Sequence, residues 1–147
     1  MKFSKLTKKD FEECLTMGVI LYKKYSREEL WGEFYKALRS RKNAIIYICK
    51  DKEKLVGFIK LSLRNDYVEG SNSSPVGYVE GIYIDPNYRG LGLGRKLFKF
   101  GEKWSFERGC NEYAADSNFP EKESQKILSR IGFKEVNRII CYLKKIK

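Results

Sequence analysis

Residues 88–95 read Tyr88-Arg89-Gly90-Leu91-Gly92-Leu93-Gly94-Arg95, and this glycine-rich stretch is the most informative part of the chain. An apolar run from Val76 to Ile84 precedes it, and Gly92 to Glu107 follows with apolar residues at helical spacing. Glycine allows close approach of a ligand to the backbone, and N–H groups at the start of a helix bind phosphate oxygens. The stretch therefore predicts a phosphate-binding loop between a strand and a helix.

This loop differs from two common phosphate loops. No Gly-Lys-Ser or Gly-Lys-Thr follows it, which excludes a Walker loop. Arg95 stands where the dinucleotide fingerprint that begins at Gly90 requires a small residue. The sequence of the loop alone therefore does not identify the class of ligand.

Outward from the loop, hydrophobic periodicity predicts one mixed α/β (α+β) domain over residues 1–147. Ser26, with Glu29 at the third helical position, fits a capping box at the start of a helix. The predicted helices are Asp10–Leu21, one that starts at Ser26, Gly92–Glu107 and Glu121–Ile131. The predicted strands are Lys2–Thr7, Ala44–Cys49, Leu55–Leu63, Val76–Ile84, Cys110–Asp116, Phe133–Val136 and Ile139–Leu143.

The chain of 147 residues contains no histidine and has a net charge of +11. Ser-His-Asp and Cys-His catalysis and His-ligated zinc are therefore excluded, and no metal site is expected. No signal peptide or membrane span is recognisable, and the four cysteines have no metal-binding spacing. We expect a cytoplasmic protein with mostly buried, reduced thiols and no membrane partner.

The charge is unevenly distributed along the sequence. Residues 65–88 and 109–121 contain no Lys or Arg, and the two windows hold four and three acidic residues. The rest of the chain carries 30 basic and 12 acidic residues. A basic chain favours an anionic partner, but the acidic windows suit a cationic one, and no basic-aromatic motif for nucleic acid is present. A nucleic-acid binder is therefore the weakest of the alternatives.

Arg89-x-x-Gly92-x-Gly94 after Gly-Ile-Tyr-Ile-Asp-Pro resembles the acetyl-CoA pyrophosphate loop of the GNAT superfamily, and Ile131-Gly132-Phe133 resembles its later signature. The resemblance implies a mixed, mostly antiparallel sheet of six to seven strands flanked by about four helices. It also implies acetyl-CoA as cosubstrate, bound by the preceding strand and the loop. The implied residues are Ile82, Tyr83, Ile84, Arg89, Gly90, Leu91, Gly92, Leu93, Gly94, Arg95 and Lys96.

From Asp66 to the C-terminus, the chain is similar to the dimeric aminoglycoside 6'-N-acetyltransferases of that superfamily. Asp66-Tyr67-Val68-Glu69-Gly70, Glu80-Gly81-Ile82 and the stretch from Gly109 to Asp116 carry this similarity. It implies direct acetyl transfer in a ternary complex to the 6'-amine of an aminoglycoside, and a homodimer. The implied substrate-binding residues are Tyr22, Asp66, Tyr67, Glu80, Asp116 and Asn137.

Glu80 and Asp116 are also the acid-base candidates that the residues themselves favour. A protonated amine must lose a proton before it attacks a thioester, and without histidine a carboxylate is the natural acceptor. The sequence departs from the family in two places: Leu128 stands where many members have a general-acid tyrosine, and Asn137 replaces a common acid. Tyr142 is one alternative acid. The acceptor could also be a polyamine, a protein N-terminus or a lysine.

Overall fold

The computed structural model describes residues 1–118 and 120–147 and contains one five-stranded sheet. The strands β1 to β5 are Lys2–Lys5, Ala44–Asp51, Lys54–Arg64, Val76–Ile84 and Tyr113–Ala115. The helices α1 to α4 are Phe11–Leu21, Arg27–Arg39, Leu93–Glu107 and Lys122–Arg130. Strand order follows chain order; neighbours are antiparallel except β4 and β5, which are parallel.

Helices cover both faces of the sheet, and each face carries its own apolar core. Helices α1 and α2 cover one face, where buried residues such as Leu15, Phe34 and Phe58 pack together. Helix α3 covers the other face, with Leu97 and Trp104 packed against the strands. Successive side chains of β2 and β3 point to opposite faces, and both faces are covered by helices, so both strands are buried almost throughout.

Local signals in the sequence correspond to local structure. The Ser26 hydroxyl accepts a hydrogen bond from the Glu29 N–H at 3.2 Å, so the predicted capping box is confirmed. Asp85 caps the short 3₁₀ turn that follows β4 by accepting from the Asn87 N–H. This turn leads the chain from the end of β4 into the glycine-rich loop.

The prediction of closing strands at Phe133–Val136 and Ile139–Leu143 is wrong for this chain: among the described residues neither segment pairs with a strand. The sheet therefore has five strands rather than six to seven. Alternating apolar residues favour an extended chain, but a strand forms only where a partner strand bonds to it, and among the described residues neither segment has one. Within the described residues, no helix combines the length and the apolar composition needed to cross a membrane.

Candidate active site

Strand β4 is paired on both sides only along its first part. Gly77, Tyr78 and Val79 pair with β5, while β3 continues alongside β4 as far as Ile84. Among the described residues, the second edge of β4 is therefore open from Glu80 onward. An open strand edge presents unpaired backbone N–H and C=O groups that can bind an extended ligand.

The glycine-rich loop lies directly after this open edge. Gly90 and Gly92 both have φ of +80°, the left-handed region that glycine adopts without strain, and a Cβ built at either one meets nothing within 4 Å. Gly92 is the N-cap of the 15-residue helix α3, and no side chain caps this helix start. The first backbone N–H groups of α3 are therefore available to an anion.

The structure assigns different positions to the residues predicted to bind the cosubstrate. Arg95 and Lys96 are exposed in the first turn of α3, whereas the Leu93 side chain is buried and contributes only its backbone to the surface. Arg89 donates a hydrogen bond from Nε to the Ile84 carbonyl oxygen at 2.8 Å. This contact fixes the loop against the end of β4.

A bulge in β4 determines the position of Glu80. Leu61 lies opposite Val79, but Lys60 lies opposite Gly81, so Glu80 is the extra residue. Bulges redirect side chains and are frequent beside active sites. The Tyr22 hydroxyl donates to the Glu80 carbonyl oxygen at 2.9 Å, which joins the end of α1 to the bulge. Burial, and next the charge of Glu80, raise the pKa of Tyr22 above its usual value.

The Glu80 carboxylate is held by β3. It accepts hydrogen bonds from the Ser62 hydroxyl at 2.6 Å and from Arg64 Nε and Nη2 at 3.0 and 2.9 Å. Burial opposes ionisation of Glu80, but the hydrogen bonds from Arg64 and Ser62 outweigh it and hold the pKa of Glu80 below its ordinary value. Glu80 is therefore a stable anion rather than a strong base.

Asp116 joins the same cluster through Tyr78. The buried Tyr78 donates its hydroxyl hydrogen to Asp116 Oδ2 at 2.7 Å, and burial followed by this bond raises the pKa of Tyr78. The Arg64 guanidinium lies 3.5 Å from the centre of the Tyr78 ring. Glu80, which is half-buried, and Asp116, which is exposed, thus lie at the two ends of one connected group. We call this group the carboxylate cluster: Ser62, Arg64, Tyr78, Glu80 and Asp116.

The acidic windows, which the sequence analysis matched to a cationic partner, have a basic residue beside them in the fold. Arg64 precedes the first window by one residue, and strand pairing places it on the Glu80 carboxylate. Sequence reasoning missed Ser62, Arg64 and Tyr78. These residues could be recognised only as polar side chains two positions apart on neighbouring strands, and the strand register, which the sequence does not give, is needed to place them together.

Asp66 and Tyr67 lie in the loop between β3 and β4, where Tyr67 is exposed. They line a cavity of about 350 Å³ with Asn65 and Ser71–Ser74; Glu80 and Asp116 are not among its lining residues. Glu112 braces this loop by accepting from the Asn72 N–H at 2.8 Å and from the Ser73 hydroxyl.

Three further residues that the sequence analysis considered for substrate binding or acid catalysis lie away from the carboxylate cluster. Asn137 donates to Glu69 Oε2 at 2.8 Å and so ties the C-terminal segment to the loop that carries Asp66. Tyr142, the alternative general acid, is 90% exposed. Leu128 packs on the apolar core beneath α3 and α4. None of the three contacts Glu80 or Asp116 among the described hydrogen bonds.

Residues 6–133 match the Acetyltransferase (GNAT) family. Aminoglycoside N(6')-acetyltransferase type 1 of Stenotrophomonas maltophilia is 34% identical over 110 residues, which are 75% of this chain and 72% of that protein. The protein of the same name from Salmonella typhimurium is 39% identical over 90 residues, 61% of this chain and 62% of the relative.

Solved structures agree along nearly the whole chain. AAC(6')-Iy in complex with the bisubstrate analog CoA-S-monomethyl-acetylneamine superposes with a TM-score of 0.91 at 28% identity, covering 99% of this chain and 98% of the other. The apo aminoglycoside 6'-N-acetyltransferase AAC(6')-IG of Acinetobacter haemolyticus gives a TM-score of 0.90 at 26% identity, with both chains fully covered.

Proposed function

The chain belongs to the GNAT acetyltransferase family, and we propose that it transfers an acetyl group from acetyl-CoA to the 6'-amine of aminoglycosides. The observation that carries the proposal is the open edge of β4, which lies between the glycine-rich loop and the carboxylate cluster. One ligand can extend from the loop along this edge, and a second can approach it from the cluster. That arrangement suits direct transfer within a ternary complex.

The geometry fits the phosphates and the pantetheine arm of acetyl-CoA. The N–H groups at the start of α3 and the exposed Arg95 and Lys96 would bind the pyrophosphate. Backbone groups of Ile82, Tyr83 and Ile84 would bind the amide-bearing arm, as a strand binds an added strand. Gly90, Leu91, Gly92, Leu93 and Gly94 would contribute backbone, and Arg89 would support the loop.

The carboxylate cluster would receive the amine. Glu80 is held ionised by Arg64 and Ser62, so it would attract and orient the ammonium form. Asp116 would accept the proton directly or through water, and Tyr22 would form an aromatic wall beside Glu80. Asp66, Tyr67 and Asn137 would contact more distant parts of the acceptor from the loop after β3.

The proposed reaction needs no histidine. The neutral amine attacks the thioester carbonyl carbon, the C–N bond forms, and the C–S bond then breaks. Backbone N–H groups on the open edge of β4 would stabilise the negative charge on the carbonyl oxygen. The departing thiolate takes up one proton, and the amine releases one, so the step balances as amine plus acetyl-CoA giving amide plus CoA.

The test measures CoA release with kanamycin, tobramycin, a polyamine, a peptide N-terminus and a lysine peptide as acceptors. We expect turnover with the aminoglycosides and a large loss in Asp116→Asn and Glu80→Gln, with CoA affinity retained. Glu123→Gln, on the exposed side of α4, is the matched control and should behave as the wild type. Turnover only with the other amines would replace aminoglycosides as the acceptor class.

We also propose a homodimer formed through the C-terminal segment. Six large apolar side chains there are exposed, far more than a monomer surface normally tolerates in one stretch: Val136, Ile139, Ile140, Tyr142, Leu143 and Ile146. A second copy would cover them, and light scattering should give twice the chain mass. Ile140→Lys, which places a charge in this surface, should reduce that mass to one chain; a monomeric wild type would contradict the proposal.

A cytoplasmic location is part of the same proposal. The free thiols of Cys14, Cys49 and Cys110 are buried, and acetyl-CoA is a metabolite of the cell interior. Cell fractionation should recover the protein with cytoplasmic markers, and recovery with the periplasm or medium would contradict this location.

A further inference from the structure

Lys60 is a buried cation that the chemistry described so far does not use. It lies on β3 and is only 9% exposed, yet its ammonium makes no hydrogen bond or ion pair within the described residues. Lys50 is a useful comparison because it is equally buried, but its Nζ lies 2.7 Å from Asp10 Oδ1. The Lys60 Nζ is not among the fully buried nitrogens that lack a partner, so the aliphatic stem is buried while the ammonium still reaches solvent, where a ligand can meet it.

Strand geometry places Lys60 on the face of the carboxylate cluster. Side chains two apart on a strand share a face, and Ser62 and Arg64 follow Lys60 at that interval on β3. Across the sheet, Lys60 lies opposite Gly81, immediately after the bulged Glu80. A Cβ at Gly81 would overlap the Tyr22 hydroxyl, so this position is packed directly under the proposed acceptor wall.

The charges around Lys60 come from several elements. Burial lowers the pKa of Lys60 below its usual value; Glu80 on β4 and Glu33 on α2 act in the opposite direction, and Arg64 on β3 and Lys36 on α2 add to the lowering. Neither Glu80 nor Glu33 is within ion-pair distance of Lys60; they pair with Arg64 and Lys36. The ammonium can therefore donate to a ligand without first breaking a protein contact.

We propose that Lys60 is a specificity-determining residue of the acceptor site, where it favours an oxygen-bearing group of the acceptor and disfavours an additional ammonium. The inference rests on the proposed function. An ammonium has three donors and no acceptor, so a hydroxyl or ether oxygen satisfies it and a second ammonium repels it. With Arg64 already on Glu80, the two cations balance the two carboxylates, and the site is less negative than its acids suggest.

The experiment compares kanamycin A with kanamycin B, which share the 6'-amine and differ by a hydroxyl or an amine on the same ring. We expect the wild type to prefer kanamycin A in kcat/KM. Lys60→Met keeps the aliphatic stem and removes the charge, so the preference should change by about tenfold in favour of kanamycin B. Lys103→Met, which removes an exposed charge from α3, should leave the ratio unchanged.

Two readouts separate the failure of this inference from failure of the proposed function. Equal kanamycin A to B ratios in the wild type and Lys60→Met, with both enzymes active, would overturn the role of Lys60. If no aminoglycoside is turned over, the proposed function fails, and calorimetric binding to the CoA-bound protein still reports the ratio. A shifted binding ratio would then support Lys60, and an unshifted ratio or no binding would overturn it. Thermal unfolding confirms that Lys60→Met is folded.

Discussion

Replacing Arg64 with Met tests the central electrostatic feature of the site. The substitution removes two hydrogen bonds to Glu80, at 3.0 and 2.9 Å, and the contact with the Tyr78 ring. A hydrogen bond to a charged group contributes about 1.5–3 kcal/mol when buried, but the Arg64 side chain is 42% exposed, so screening reduces this value. We expect the free energy of unfolding at pH 7 to fall by about 1–2 kcal/mol, and the Tm by about 3–6 °C.

The same variant should change how activity depends on pH. Arg64 lowers the pKa of Glu80 while burial raises it, so removing Arg64 leaves burial dominant and raises that pKa. The acid limb of kcat/KM for kanamycin should therefore move to higher pH. The stability loss has the same origin: the contribution of Glu80 is present above its unfolded pKa and is lost as pH falls through the lower folded value. The free energies of unfolding of the wild type and of Arg64→Met should therefore become equal at acidic pH.

The assay is thiol release from acetyl-CoA between pH 5 and 9, together with urea unfolding at the same pH values. Arg27→Met is the matched control, because Arg27 is similarly exposed and pairs with Glu12 at 2.7 Å away from the cluster. Arg27 makes three hydrogen bonds, so its loss should reduce stability by a comparable amount but leave the pH profile of activity as in the wild type. An unchanged acid limb in Arg64→Met would refute the reasoning, since Glu80 would then not control the ionisation that activity requires.

Three further substitutions test separate parts of the fold and site. Gly92→Val should weaken CoA binding by about tenfold or more in calorimetry, because φ is +80° there; the matched Gly94→Ala should bind normally, and wild-type affinity in Gly92→Val would contradict the loop assignment. Tyr78→Phe removes the donor to Asp116, so kcat should fall about fivefold with CoA affinity unchanged; an unaltered kcat would exclude this positioning role. Gly77→Ala should cost about 1–3 kcal/mol in urea unfolding, because the new Cβ overlaps a buried α3 serine; an equally stable variant would show that α3 can move.

Features that depend on neighbouring residues in the sequence were predictable. The glycine loop follows β4 and starts α3 as its spacing indicates, and the Ser26 capping box forms. Both are local: a φ of +80° or a cap requires a residue type at a fixed offset. The C-terminal segment was not predictable in this way, because alternation of apolar residues indicates a strand, but a strand also needs a partner strand, which the segment lacks among the described residues.

The composition of the carboxylate cluster depends on strand register, which explains why its two acids could be predicted from the sequence and its arginine could not. Without the bulge at Glu80, a regular ladder would place a different β3 residue beside it, and the pairing with Ser62 and Arg64 could not be deduced. A window free of Lys and Arg describes only one strand, whereas a pocket is lined by at least two. Arg64 pairs with Glu80, whereas the exposed Asp116 accepts only from an uncharged tyrosine hydroxyl among the described contacts. A cationic amine would therefore meet Asp116 first, and Glu80 would then orient it.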